Sequence, residues 1–283
     1  MSAIDLRRGL TLMEMLVAIV LVTMLVAIGG AMAQRVLAVH ARTSAADSRR
    51  SALADALATL TRHAASVQPM QGDLRTARNT TLEIVHDIGM TTVCRAAGDT
   101  LVVTSGADTV PWSSTLPRAI TTDHIVRIWH EADARWLPRN VLAIAPASGT
   151  CGESARPWPG AGTQRLLLDR NTAGLRPGAT VRVLRRERWS LVLGGDGKWS
   201  LALATWDASR DIFAVPQPLL SPLASPSART GAGFDVRAVD GEGRALADTA
   251  LAGAHALLVT LRSLPTARLD AITDSVRINV AIR

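Results

Sequence analysis

Lysine is almost missing from this 283-residue chain: Lys198 is the only one, against 30 arginines. The basic residues are scattered without a run of five or more, so the net charge of +7 argues only weakly for an anionic partner. The arginine and alanine bias reads as codon usage rather than as a nucleic-acid tract. Tyrosine is absent, phenylalanine occurs twice and tryptophan seven times. That inventory suits a single-strand nucleic-acid binder poorly, because such proteins stack bases on aromatic platforms in a basic groove. DNA binding therefore stays only a minor alternative. Two cysteines exclude a disulfide-dense scaffold, and neither has histidine at zinc-ligand spacing. With 48% hydrophobic and 19% charged residues, a disordered chain is excluded as well. No Gly-x-Ser-x-Gly elbow, phosphate-binding loop or dinucleotide fingerprint occurs. The expectation is a protein that is not an enzyme and that holds no cofactor or metal.

What the chain does have is an apolar amino terminus. Residues 15–34 are twenty consecutive positions without a formal charge. At about 1.5 Å per residue they span roughly 30 Å as a helix, the thickness of a bilayer core. Arg7 and Arg8 precede the run, and positive charge ahead of an apolar segment keeps that end cytoplasmic. A secretory signal cleaved near Ala33 is the competing reading. Glu14 weighs against it, since an unpaired carboxylate costs about 2.5–3.5 kcal/mol at the bilayer centre and a discarded signal has no use for one.

The segment Arg7-Arg8-Gly9-Leu10-Thr11-Leu12-Met13-Glu14-Met15-Leu16-Val17-Ala18-Ile19 resembles the leader and anchor of type IV pilins and type II secretion pseudopilins. The resemblance implies that prepilin peptidase cuts after Gly9 and N-methylates Leu10, the new first residue. The apolar helix then stays as the anchor and becomes the filament core. It also implies that Glu14 neutralises the new amine on a neighbouring subunit during assembly, consistent with the rule that buried charge is tolerated only when paired. Most relatives carry Phe where Leu10 stands, and many major pilins have a proline later in the helix; here Gly29-Gly30 takes that region instead. The resemblance covers only about a tenth of the chain.

Beyond Gln34 the helical pattern continues and becomes amphipathic. Leu53, Leu57, Leu60, Ala64 and Val67 recur at alternating spacings of four and three, and no proline appears before Pro69. One helix over residues 10–68 is expected, membrane-spanning over about 10–33, after a cytoplasmic leader of residues 1–9. Its leucine stripe needs a sheet to cover it. Residues 69–283 switch to period two, with strands at 82–85, 100–103, 125–129 and 276–282. A hairpin is expected at 189–203, turning at Gly194-Gly195-Asp196-Gly197, with Trp189 and Trp199 as a cross-strand pair. Residues 216–226 hold four prolines and read as a loop. The fold class is α+β: a long amino-terminal helix packed on an antiparallel β-sheet head, pilin-like.

Export would place the head in an oxidising compartment, where Cys94 and Cys151 are expected to be joined. Such a bond closes a loop of nearly 60 residues and would stabilise the head by roughly 4 kcal/mol in the chain-entropy view. His124, His130, Glu131 and Asp133 form the densest titratable cluster in the sequence and read as a solvated strand end and turn rather than a catalytic site. The resemblance further implies a minor subunit of the pseudopilin J or PilW-like kind, because major subunits commonly have smaller heads. Its implied partners are prepilin peptidase, other pilin or pseudopilin subunits, the inner membrane and its assembly platform. It would be incorporated at or near the tip of a type IV pilus or a type II secretion pseudopilus and prime its assembly. A membrane-anchored periplasmic binding protein or enzyme is the alternative from another class.

Overall fold

Leucine, alanine and methionine favour helix, and nothing before Pro69 removes a backbone donor. In the computed structural model these residues form α1, a 53-residue helix over Leu12–Ala64. The structure describes residues 12–104, 115–116, 119–147, 163–229, 231–264 and 274–282. The chain divides into two units, Met1–Ser51 and Ala52–Arg283.

In the first unit α1 leaves its large apolar side chains exposed, among them Leu16, Ile19, Leu21, Met24, Leu25 and Ile28. The helix runs unbroken through Gly29 and Gly30, and an added Cβ at either would meet nothing within 4 Å. Water does not tolerate such a surface over this length, which is the signature of a helix built for lipid. By length and composition it is apolar enough to cross a membrane.

In the second unit the end of α1 buries the expected stripe: Leu53, Leu57, Leu60 and Ala64, followed by Val67. The α-helix stops at Ala64, slightly short of the expected end. A 3-10 turn at Pro69–Gln71 follows, and Gly72, at φ 75°, turns the chain into the sheet.

The strands are β1 Leu74–Asn79, β2 Thr81–Ala97, β3 Thr100–Thr104, β4 His124–His130, β5 Arg135–Ala147, β6 Thr163–Leu168, β7 Thr180–Leu193, β8 Trp199–Asp207, β9 Ile212–Phe213, β10 Gln217–Leu223, β11 Phe234–Val239, β12 Ala256–Arg262 and β13 Ser275–Ala281. All pairings between them are antiparallel. The strands expected at 82–85, 100–103 and 125–129 fall within β2, β3 and β4, and the one at 276–282 matches β13 except for Ile282, one residue past its end.

Two long strands organise the head. β2 and β7 pair with each other from Thr81↔Ser190 to Thr92↔Thr180. Around one end, the sheet continues as β1-β11-β12-β13 on one side and β8-β10 on the other. Around the other end, the pairings run β7-β4-β5-β6-β3-β2 and so return to the strand they left, closing a ring of six strands. A bulge between Asp87 and Gly89 marks the change along β2. Gly89 has φ 157°, and a Cβ there would stand 3.0 Å from the Thr115 carbonyl oxygen. Bulges bend a strand and increase its twist, which lets one strand serve both parts.

Each part has its own core. The leucine stripe of α1 packs with Leu82, Ile84, Trp189, Leu201, Phe234 and Val259 from the open sheet. The ring encloses Val93, Leu101, Val103, Val126, Ile128, Val141, Leu166 and Val181.

Two expectations are corrected here. Residues 216–226 are not simply a loop, because β10 pairs with β8. The prolines confine it to the edge of the sheet, where their missing N–H groups cost no ladder bond, and its register slips between Pro218 and Leu220 and again before Leu223. Trp189 and Trp199 do not face each other. The turn at residues 194–198 sets Leu193 opposite Trp199 and Trp189 opposite Leu203. The cross-strand tryptophan pair is Trp129 with Trp136, on β4 and β5, at 5.4 Å between ring centroids and 66°.

Candidate functional site

The amino-terminal motif comes first, because most of the functional expectations rest on it. Gly9 and Leu10 lie outside the described residues. Glu14 is the acidic residue in the first turn of α1, where the partial positive charge of the helix start favours a carboxylate. Its neighbours Leu12, Met13, Met15 and Leu16 are exposed and apolar. Glu14 thus sits at the head of the apolar stretch of α1, which carries no further charge before Arg35.

Cys94 is buried near the end of β2, and no cysteine among the described residues is free. Cys151 lies outside the described residues. The cluster expected from His124, His130, Glu131 and Asp133 is not a single cluster. His124 and His130 stand at opposite ends of β4, about 20 Å apart at roughly 3.3 Å per residue. His124 is buried rather than solvated. It accepts from the Arg185 guanidinium at 3.1 Å, and Thr121 lies against its Nδ1. Burial, and then the charge of Arg185, lower its pKa to about 4 against the pull of Asp123, so His124 is neutral at pH 7. His130 does lie at the turn, 3.2 Å from Asp133.

The polar groupings that matter in the head were not legible as motifs. On the face of β2 and β7 turned to α1, Glu187 is buried between two histidines. His63, in the last turn of α1, donates from Nδ1 to Glu187 Oε2 at 2.8 Å. His86 Nε2 lies 3.1 Å from Glu187 Oε1 but makes no aligned hydrogen bond. The two imidazoles stack at 4.2 Å and 9°, with Trp189 edge-on to His63 at 5.9 Å. Burial alone would raise the Glu187 carboxyl, yet the two neighbouring imidazoles outweigh it and lower the pKa to about 2. This trio is the group among the described residues whose donor atoms could hold a metal ion.

On the opposite face, Glu83 accepts from both Arg186 and Arg188. Those guanidiniums in turn lie over Trp206 and Phe213, at 4.0 and 3.8 Å from the ring centroids. A third grouping pairs Arg127 with fully buried Asp73, and Gln71 Oε1 accepts from Arg127 at 2.8 Å. Arg127 also borders a cleft of about 760 Å³ that Arg75, Arg135, Trp129 and Trp136 help to line. No spacing rule links His63 to Glu187 or Asp73 to Arg127, because packing brings together residues 124 and 54 positions apart.

Comparison with known proteins bears on the amino terminus alone. Residues 5–30 match the family model described as the prokaryotic N-terminal methylation motif. No curated protein and no solved structure matches the chain. The match supports a protein of pilin or pseudopilin type, processed by prepilin peptidase, assembled with other pilin subunits and anchored by a single apolar helix in the inner membrane.

Proposed function

We propose that the chain is a minor pilin or pseudopilin, a structural subunit rather than an enzyme, that enters at or near the tip of a type IV pilus or type II secretion pseudopilus and primes its assembly. The observation that carries this reading is the methylation motif over residues 5–30, with Glu14 at the start of a helix whose far end is built into a large β head. In this reading cleavage after Gly9 frees the Leu10 amine, and the Glu14 carboxylate of a neighbouring subunit neutralises it. The exposed apolar half of α1 passes from lipid into the filament core, and the head lies in the periplasm. Cys94 and Cys151 are joined there.

The test is the intact mass and amino-terminal sequence of the protein from membranes of cells that contain prepilin peptidase. A chain that begins at Leu10 and is heavier by one methyl group is expected. A chain beginning at Met1, or after Ala33, refutes the proposal. Replacing Gly9 with a bulky residue should block cleavage, whereas Glu14→Ala should be cleaved but fail to enter filaments.

One observation favours a second reading, a membrane-tethered binding head: the cleft lined by three arginines and the Trp129–Trp136 pair. That reading requires Glu14→Ala to leave function intact.

A further inference from the structure

We propose that His63, His86 and Glu187 form a site for one divalent transition-metal ion of the zinc class, which ties the last turn of α1 to β2 and β7. The proposal does not depend on the filament reading. Three elements distant in sequence each supply one donor atom, and these atoms lie within 4.8 Å of one another. Two imidazoles and a carboxylate are a donor set that suits zinc and not calcium or magnesium, which require oxygen ligands.

The spacing is close to what the ion needs. Ligands bonded to tetrahedral zinc at about 2.0–2.1 Å stand roughly 3.3 Å apart. The nitrogen–oxygen separations here are 2.8 and 3.1 Å, so each histidine must draw back from Glu187 by a few tenths of an ångström, and the proton that His63 Nδ1 shares with Glu187 must leave that nitrogen. Glu187 permits this drawing back because it faces each histidine with a different oxygen.

The second observation is His86. It is buried, its Nε2 is turned toward Glu187, and that nitrogen has no hydrogen-bond partner. A buried polar atom left in that state is costly, and a bound ion satisfies it. Without metal, His63 is hydrogen-bonded to Glu187, whereas His86 has only a charge contact with it at 3.1 Å. The two rings stack nearly parallel, so one imidazole must turn to bring its in-plane lone pair onto an ion shared with the other, and Trp189 lies edge-on to His63. His63 is the member partly open to solvent, at 22% side-chain exposure. A water molecule can therefore complete the coordination from that side, giving three protein ligands and one open position.

The experiment uses the untagged full-length chain in detergent, stripped with a chelator and dialysed. Zinc chloride is titrated while bound metal and the unfolding temperature are followed. One zinc per chain is expected, with the unfolding temperature raised by about 5–10 °C at a hundredfold excess over the dissociation constant. Calcium and magnesium should produce no rise. Cobalt(II) bound to the unmodified chain should show the intense visible absorption of a four-coordinate site, a readout that needs no variant. His63→Gln, at the partly exposed position, should fold and lose zinc affinity at least tenfold, and Glu187→Gln should behave likewise. Absence of saturable zinc binding overturns the proposal, as does binding that persists unchanged in the His63→Gln/His86→Gln double variant.

Discussion

Leu60→Ala tests whether the end of α1 belongs to the folded head or merely lies against it. Leu60 is fully buried, in one cluster with Leu53, Leu57, Trp189 and Phe234. The change removes three carbon atoms, about 2.4 kcal/mol of transfer free energy at roughly 0.8 kcal/mol per methylene. The cavity left behind adds to this, and buried Leu→Ala changes fall in the range of about 2.7–5 kcal/mol. A unit the size of the head loses about 2–4 °C of unfolding temperature per kcal/mol, so a drop of roughly 5–20 °C is expected. The control is Leu25→Ala on the same helix, where the side chain is exposed. That change should leave head unfolding within about 2 °C, because surface substitutions stay within ~0.5 kcal/mol. The assay is thermal unfolding of the full chain in detergent, followed by tryptophan fluorescence. Trp189 lies in the same cluster as Leu60 and reports on it directly. Equal unfolding temperatures for the two variants would refute the packing argument and leave the leucine stripe unexplained.

Acid should weaken the head through His124. Its folded pKa of about 4 lies below the ordinary 6.5, so the folded protein keeps it neutral while the unfolded chain takes up a proton. Stability is therefore full above pH 6.5 and falls by about 3 kcal/mol as pH drops to 4. Urea midpoints for His124→Asn should be flatter across that interval, and an unchanged slope counts against the assignment. Asp73→Ala strands Arg127 as a buried cation and should cost about 3–5 kcal/mol in chemical denaturation. A loss below 1 kcal/mol would show that Gln71 suffices as a partner. If Cys94 and Cys151 are joined, reduced and non-reduced protein should migrate differently on gels and Cys94→Ser should abolish the difference; identical migration with two titratable thiols removes the bond.

The amino-terminal motif is legible because its determinants are local. The methylation motif, the apolar run and the position of Glu14 depend on residue types within one short stretch, and the period of Leu53, Leu57, Leu60 and Ala64 follows from helix geometry alone. Alternation likewise revealed individual strands, since side chains in a strand point alternately to its two faces. Register was harder. Trp189 and Trp199 looked paired from their spacing about the turn, yet the turn centre decides pairing, and it set Leu203 opposite Trp189. The prolines of β10 forbid only a central strand, and the edge position beside β8 accommodates them.

What the sequence determined by itself is the membrane helix, its processing motif, and the need for a sheet to cover its far end. The tertiary structure alone decided that β2 and β7 serve two sheets at once, that six strands close into a ring, and that His63, His86 and Glu187 meet. Glu187 meets His63 and His86 across more than a hundred positions, through pairings whose choice depends on the packing of the whole head rather than on any short window.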